Sequence, residues 1–309
     1  MTWHETIEYI RQKPEYADLV RLAYFDQDLT LNIVRFGQSE EFSETLKLIN
    51  KYVPEARTIL DIGAGNGISS INFALRGYDV TVLEPDPSDS VGANAIRTMK
   101  EEYNLNNLTV YERYAESTGL EANGFDIIYV RQAMHHAHNL KQFIAECSRL
   151  LKPGGVLLTI RDHVVFNQKD KQRFLDTHPL HKFYGGENAF TSEEYKGAML
   201  SAGLHVLEEM KYFDSVINHF PVSSSEMNTV KQTEEKLHRQ LKQKIGFLAN
   251  NKLLFKIYKK LKGFRNSYGD EKKVPGRMYS FVSGKLIKSI FMGATIKTMT
   301  VINNTGYYA

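Results

Sequence analysis

The period of the apolar positions changes near residue 57. Between residues 3 and 53 they recur at helical spacing, most clearly as Phe42, Leu46, Leu48, Ile49 and Tyr52, and Pro54 closes the run. From Arg57 onward, short runs rich in Val, Ile, Leu and Tyr alternate with amphipathic stretches. That alternation is the pattern of βαβ units around a parallel sheet. It predicts strands over 58–62, 79–83, 108–111, 125–130 and 156–160, with a sixth over 204–213 and a seventh over 278–286. Helix signals punctuate the intervals: Gly77 stops one, Asn139 caps another that ends before Pro153-Gly154-Gly155, and Thr191 with Glu194 has capping-box spacing.

The expected architecture is α/β, a doubly wound, Rossmann-like, seven-stranded and mostly parallel sheet. The chain divides into a helical N-terminal cover (1–55), a core (56–215), a basic helical insertion or lid (216–276), a final core strand (277–290) and a tail (291–309) for which no period is evident.

Composition narrows the class. An apolar fraction of 42% and a charged fraction of 24% over 309 residues exclude collagen-like and wholly disordered chains. Cys147 is the single cysteine, so no intramolecular disulfide forms, and its neighbours Phe143, Ile144, Leu150 and Leu151 mark it as core packing. The first residues lack a basic start followed by an apolar stretch, and nowhere do 18 apolar residues run together. A cytoplasmic protein is expected, with contact at a membrane surface as one option.

The formal net charge of +3 is unevenly spread. Between Lys231 and Arg265, eleven Lys and Arg stand against Glu234 and Glu235, a local net of +9 that leaves −6 for the remainder. Arguments about anionic partners therefore belong to that segment. Within it, Leu253, Leu254, Ile257, Leu261 and Phe264 fall on one side of a helical wheel and Lys252, Lys256, Lys259 and Lys260 beside them. Three readings stay open for 251–265: a solvated basic face on a packed helix, a helix resting on anionic lipid or covering a ligand site, and nucleic-acid contact.

The most informative run is Thr58-Ile-Leu-Asp61-Ile-Gly63-Ala64-Gly65-Asn-Gly67-Ile68. A buried strand ends there and a helix begins, and glycines let backbone approach a ligand closely. A dinucleotide fingerprint would place its third glycine at 68, where Ile68 stands; Gly67 instead completes Gly-x-Gly-x-Gly. Seventeen residues beyond Gly67, Glu84-Pro85 closes the second strand.

On these residues, with Phe125-Asp126 opening the fourth strand, Arg131 to His136 following it and Leu150-Leu151-Lys152-Pro153-Gly154-Gly155 closing the next helix, 57–161 resembles the core of class I S-adenosylmethionine-dependent methyltransferases. The likeness is greatest to the ubiquinone-biosynthesis-like group of small-molecule enzymes. It implies S-adenosylmethionine as cofactor and S-adenosylhomocysteine as product, bound through Asp61, Gly63, Ala64, Gly65 and Gly67, with Glu84 and Pro85 at the ribose and Arg131 at the fourth strand. The family's acidic residue for adenine is replaced by Tyr114, so Ala115 and Glu116 take that expectation.

Methyl transfer to oxygen or nitrogen requires alignment and, for a protonated acceptor, a base. His163 and His136 are the expected bases, with Asp162 or another carboxylate orienting His163; His135 and His138 lie beside them. His178 and His181, in a loop with Tyr184 and Glu187, read first as loop-stabilising residues. No metal is expected, since neither a cysteine pair nor His-Glu-x-x-His accompanies these histidines. The expected activity is O-methylation of a small molecule, a saccharide or a lipid-linked intermediate; the rivals are an RNA methyltransferase and a non-catalytic binding module.

Overall fold

The structure, a computed structural model, describes residues 1–219, 223–264 and 271–285. The expected tail 291–309 and the end of the final strand segment, 286–290, lie outside the described residues.

Four helices lead in: α1 (Trp3–Arg11), α2 (Ala17–Leu22), α3 (Leu29–Gly37) and α4 (Glu40–Tyr52). Their starts are chemically marked. The Thr2 hydroxyl and the Glu5 carboxylate form a reciprocal box at α1, and Asp28 and Ser39 cap α3 and α4. The core follows as β1 (Thr58–Ile62), α5 (Ile68–Ala74), β2 (Asp79–Leu83), α6 (Ala93–Glu102), β3 (Leu108–Tyr111), β4 (Phe125–Arg131), α7 (Leu140–Leu150) and β5 (Leu151–Val164). Next come α8 (Gln168–Thr177), α9 (His181–Tyr184), α10 (Ser192–Ser201), β6 (Leu204–Met210), α11 (Ser224–Ile245), α12 (Lys252–Leu261) and β7 (Arg277–Lys285).

One seven-stranded sheet has the order β3-β2-β1-β4-β5-β7-β6, parallel except for β7, which runs antiparallel to both neighbours. Alternation along each strand builds two layers. Ile59, Ile127, Tyr129 and Leu158 pack with α3 to α6, whereas Leu60, Ile128, Val130 and Leu157 face the layer that holds Phe143, Ile144 and Cys147 of α7 and Tyr195 of α10. Such fully buried side chains contribute about 1.5–3 kcal/mol each. β1 and β4 are neighbours although the chain leaves them in opposite directions across the sheet, which opens a crevice at their carboxyl ends.

The fifth strand differs from expectation. β5 continues past Ile160 to Val164 after a register shift against β7 between Thr159 and Asp162, where Arg161 has φ +60°. Arg161, Asp162 and His163 therefore ride on a strand rather than in a loop. In the basic insertion, α11 and α12 pack on each other, through Lys259 to Glu234 at 2.6 Å and His238 against Phe255, and α12 has no buried residue.

Candidate active site at the carboxyl edge of the sheet

The turn after β1 is built by backbone demands. Gly63, Gly65 and Gly67 have φ of +67°, +57° and +79°. A Cβ on Gly63 would come within 2.5 Å of the Ala133 Cβ, and one on Gly67 within 2.8 Å of Ile96 Cγ1. A Cβ on Gly65 would meet nothing nearer than the Val91 carbonyl oxygen at 4.0 Å. The outer glycines thus serve packing, while Gly65 keeps space open beside its own amide. Glu84 closes over that amide: its Oε2 accepts from Gly65 N–H at 2.7 Å and its Oε1 from Asp86 N–H at 3.0 Å. Burial, aided by the charges of Asp86 and Asp61, pushes the Glu84 carboxyl up to about 7.

A cavity of about 550 Å³ opens here, within the range of small-molecule sites. Of the expected cofactor residues, Gly63, Ala64, Gly65, Glu84, Pro85, Ala115, Glu116 and Arg131 line it. Asp61 and Gly67 do not. Asp61 is fully buried and its Oδ2 accepts from the Ser70 hydroxyl at 2.5 Å, bracing the first turn of α5. Gly67 abuts Ile96 of α6. Both hold the turn in shape from behind it. Arg131 lines the cavity, yet its guanidinium is committed to the buried Glu41 of α4 at 2.6 and 3.2 Å. Arg161 approaches the same carboxylate at 3.4 Å, so one buried charge ties the N-terminal cover to the ends of β4 and β5. Against burial, the two guanidiniums keep Glu41 below its ordinary pKa.

The opposite wall is made of side chains. β4 ends in Gln132, at φ +51°, and a single turn over Met134–His136. Together with Arg161, this puts two non-glycine residues in left-handed backbone beside the crevice, where strain of about 1–3 kcal/mol each is held by the surrounding fold. The shift at Arg161 turns Asp162 toward β4, and its Oδ1 accepts from both the backbone N–H (3.1 Å) and Nδ1 (3.0 Å) of His135. Asp162 thus orients His135, and not His163 as expected. His163 Nδ1 instead donates to the Gly276 carbonyl at 2.5 Å, and His136 Nδ1 to the Gly186 carbonyl at 2.9 Å. A carbonyl only accepts, so both rings carry their hydrogen on Nδ1 and present a lone pair at Nε2 when neutral.

Charge separates these rings. Burial opposes protonation of His135, but Asp162 and Glu187 outweigh it and raise the ring to about 9. Enclosure by protein and the charge of His135 push His136 down to about 4 and hold His163 well below its ordinary value. Glu187 sits among them, accepting from the Tyr184 hydroxyl, 3.6 Å from His135 Nε2 and 3.5 Å from His178 Nδ1. Despite burial, these rings hold its carboxyl well below the usual range. His178 therefore belongs to the cavity wall rather than to the loop alone; His138 also lines the cavity, its backbone N–H donating to Glu116 at 3.0 Å, and His181 does not line it.

The cover comes from the N-terminus. Trp3, Leu19, Leu22 and Phe25 line the cavity with Leu180 and Tyr184, and the Trp3 ring packs edge-on against Tyr184 at 5.0 Å. Among the described residues, none between 216 and 264 lines it. The central trio of His135, Asp162 and Glu187 was missed as a unit. Its members were visible in the residue pattern, but their pairing crosses three segments.

Residues 60–159 match the family model of the methyltransferase domain. Over 106 residues the chain is 30% identical to the ubiquinone biosynthesis O-methyltransferase of Caulobacter vibrioides, covering 33% of this chain and 40% of that one. Over 147 residues it is 29% identical to phosphoethanolamine N-methyltransferase 2 of Caenorhabditis elegans, covering 45% and 32%. The chain thus spans less than half the length of either relative. Among solved structures, geranyl diphosphate C-methyltransferase from Streptomyces coelicolor, in complex with Mg²⁺, geranyl diphosphate and S-adenosyl-L-homocysteine, superposes with a TM-score of 0.51 at 14% identity, covering 80% of this chain and 79% of that one. The [4+2]-cyclase SpnF superposes at 0.50 with 17% identity, covering 79% and 80%. These two likenesses establish the fold alone. The domain match, on this sheet order, makes residues 60–159 a methyltransferase domain.

Proposed function

We propose that this chain is an S-adenosylmethionine-dependent methyltransferase that methylates a hydroxyl of a small molecule, a saccharide or a lipid-linked intermediate. The observation that carries this is one continuous cavity joining the Gly65 amide and Glu84 to two imidazoles whose Nε2 atoms are left as acceptors. The residues fit the cofactor. Gly65 leaves room for it, Glu84 would offer two oxygens to ribose hydroxyls, and Ala115 and Glu116, which line the same cavity, would take the adenine. When bound, S-adenosylmethionine supplies an electrophilic methyl group on a sulfonium.

The protein's own work is alignment, exclusion of water and proton removal. Trp3, Leu19, Phe25 and Leu180 shield the cavity. His136 is open to it and neutral near pH 7, so its Nε2 would take the hydroxyl proton of an acceptor bound there. His163 is the second candidate base. The O-methyltransferase name of the Caulobacter relative supports an oxygen acceptor, and the N-methyltransferase relative names the rival atom. The basic segment 231–265 adds no described residue to the cavity, which weighs against an RNA acceptor.

Calorimetry with S-adenosylhomocysteine tests the cofactor assignment, and absence of binding at millimolar concentration sinks it. Labelled methyl transfer into a metabolite extract tests catalysis; no labelled product across a broad extract favours a non-catalytic module. Helix α12, with Leu253, Ile257 and Leu261 exposed beside its lysines, supports contact with an anionic lipid surface. Equal sedimentation with neutral and anionic vesicles would remove that reading.

A further inference from the structure

We propose that His135, His163 and Glu187 form a mononuclear divalent transition-metal site in the acceptor half of the cavity. One ligand atom from each lies within 4.8 Å of the others. Ligand atoms around tetrahedral zinc lie about 3.4 Å apart, so binding needs them to draw in by about 1.4 Å at most, a rotamer-scale adjustment.

Three independent features favour an ion over a plain hydrogen-bonded cluster. The far nitrogen of each imidazole is anchored: His135 Nδ1 on Asp162 at 3.0 Å and His163 Nδ1 on the Gly276 carbonyl at 2.5 Å. Carboxylate or carbonyl anchoring of Nδ1 is the support that metal-ligating histidines receive, because it fixes the tautomer and aims Nε2. Secondly, Glu187 is 8% exposed and its Oε2 has no hydrogen-bond partner. It faces His135 Nε2 at 3.6 Å, beyond a hydrogen bond. A buried carboxylate oxygen and an imidazole nitrogen that face without bonding leave a place for a cation between them. Thirdly, all three residues are buried yet line the cavity, so the remaining coordination positions open toward the acceptor.

The donor set names the class of ion. Two imidazole nitrogens and one carboxylate suit Zn²⁺, Co²⁺ or Fe²⁺; Mg²⁺ and Ca²⁺ take oxygen ligands. The sequence expectation of no metal rested on contiguous spacing, and these ligands come from the turn after β4, from β5 and from the loop after α9. The consequence for catalysis rests on the methyltransferase reading: the ion acts as a Lewis acid on the acceptor oxygen, and His136, outside the ligand set, takes the proton.

The test uses the full chain stripped of metal and titrated with Co²⁺, followed by visible absorption and then displacement with Zn²⁺. One equivalent is expected per chain. His163→Gln and Glu187→Gln abolish stoichiometric binding, Asp162→Asn weakens it about 10- to 100-fold, and His205→Ala, exposed on β6, leaves it unchanged. Calorimetry with S-adenosylhomocysteine on each variant reports an intact fold and cofactor half. Absence of Co²⁺ bands in the wild-type chain, or bands that persist in both His163→Gln and Glu187→Gln, overturns the proposal. If Co²⁺ binds at these ligands while S-adenosylhomocysteine fails to bind the wild type, the site stands and the methyltransferase reading falls.

Discussion

The two walls of the cavity do their work with different parts of the chain. On the β1 and β2 side, function rests on backbone: the amide at Gly65, left-handed φ at three glycines, and one carboxylate at a strand end. On the β4 and β5 side it rests on side chains from four segments, held by carbonyls and carboxylates of still other segments. A backbone site is contiguous and tolerates little change in geometry; a side-chain cluster is dispersed and can be altered one group at a time. Substitutions on the two walls should therefore separate cofactor binding from turnover.

The largest effect is expected at His136. Changing it to Ala should lower the methyl-transfer rate by about 10²- to 10⁴-fold while S-adenosylhomocysteine affinity stays within about twofold. Single-turnover kinetics beside calorimetry measure both, and a parallel loss of affinity would mean the walls are not separable. Gly65→Val is the mirror experiment. A β-branched residue at φ +57° is strained, and its side chain occupies the space kept open for the ligand. S-adenosylhomocysteine should bind at least about 100-fold more weakly, a loss of about 2.7 kcal/mol, with Co²⁺ absorption at the opposite wall unchanged.

A smaller effect sharpens the cofactor wall through pH. Glu84 titrates near 7, and on the proposed reading its ionised form is the one that would accept both ribose hydroxyls. Affinity for S-adenosylhomocysteine should be constant above pH 7 and fall by up to about tenfold per unit below it, and Glu84→Gln should flatten that profile. A wild-type profile flat from about pH 5.5 to 8 would refute the assignment.

The smallest effect is at neither wall. At the start of β4, Asp126 accepts from Lys152 Nζ at 2.8 Å and from the backbone of Arg57 and Thr58, and these donors, against partial burial, hold its carboxyl down to about 2. The depressed value means its stabilisation is present above about pH 4 and is lost as pH falls toward 2. Asp126→Asn should cost about 1 kcal/mol in denaturant unfolding at about pH 7, and leave cofactor affinity and turnover alone.

How far each part was legible follows from the same contrast. Strands 58–62, 79–83 and 108–111 were readable to the residue, because buried parallel strands are short apolar runs bounded by turn signals. Asn139 and Thr191 cap helices as their spacing indicates, since a cap is a local hydrogen bond. The extension of β5 was not legible: Asp162 and His163 look like loop residues until β7, over a hundred positions later, pairs with them. The readings of 251–265 stayed open because an amphipathic helix carries no record of which surface it meets.

By itself the amino-acid order determined the sheet, the glycine turn and the acidic residue beyond it, all of which depend on neighbours within a few residues or on periodicity. Tertiary structure alone decided that Asp162 serves His135 rather than His163, that Glu187 enters the cluster, and that the N-terminal helices cover the cavity. Those outcomes turn on distances among β4, β5, the loop after α9 and the N-terminal helices, which exist only once segments far apart in sequence lie side by side.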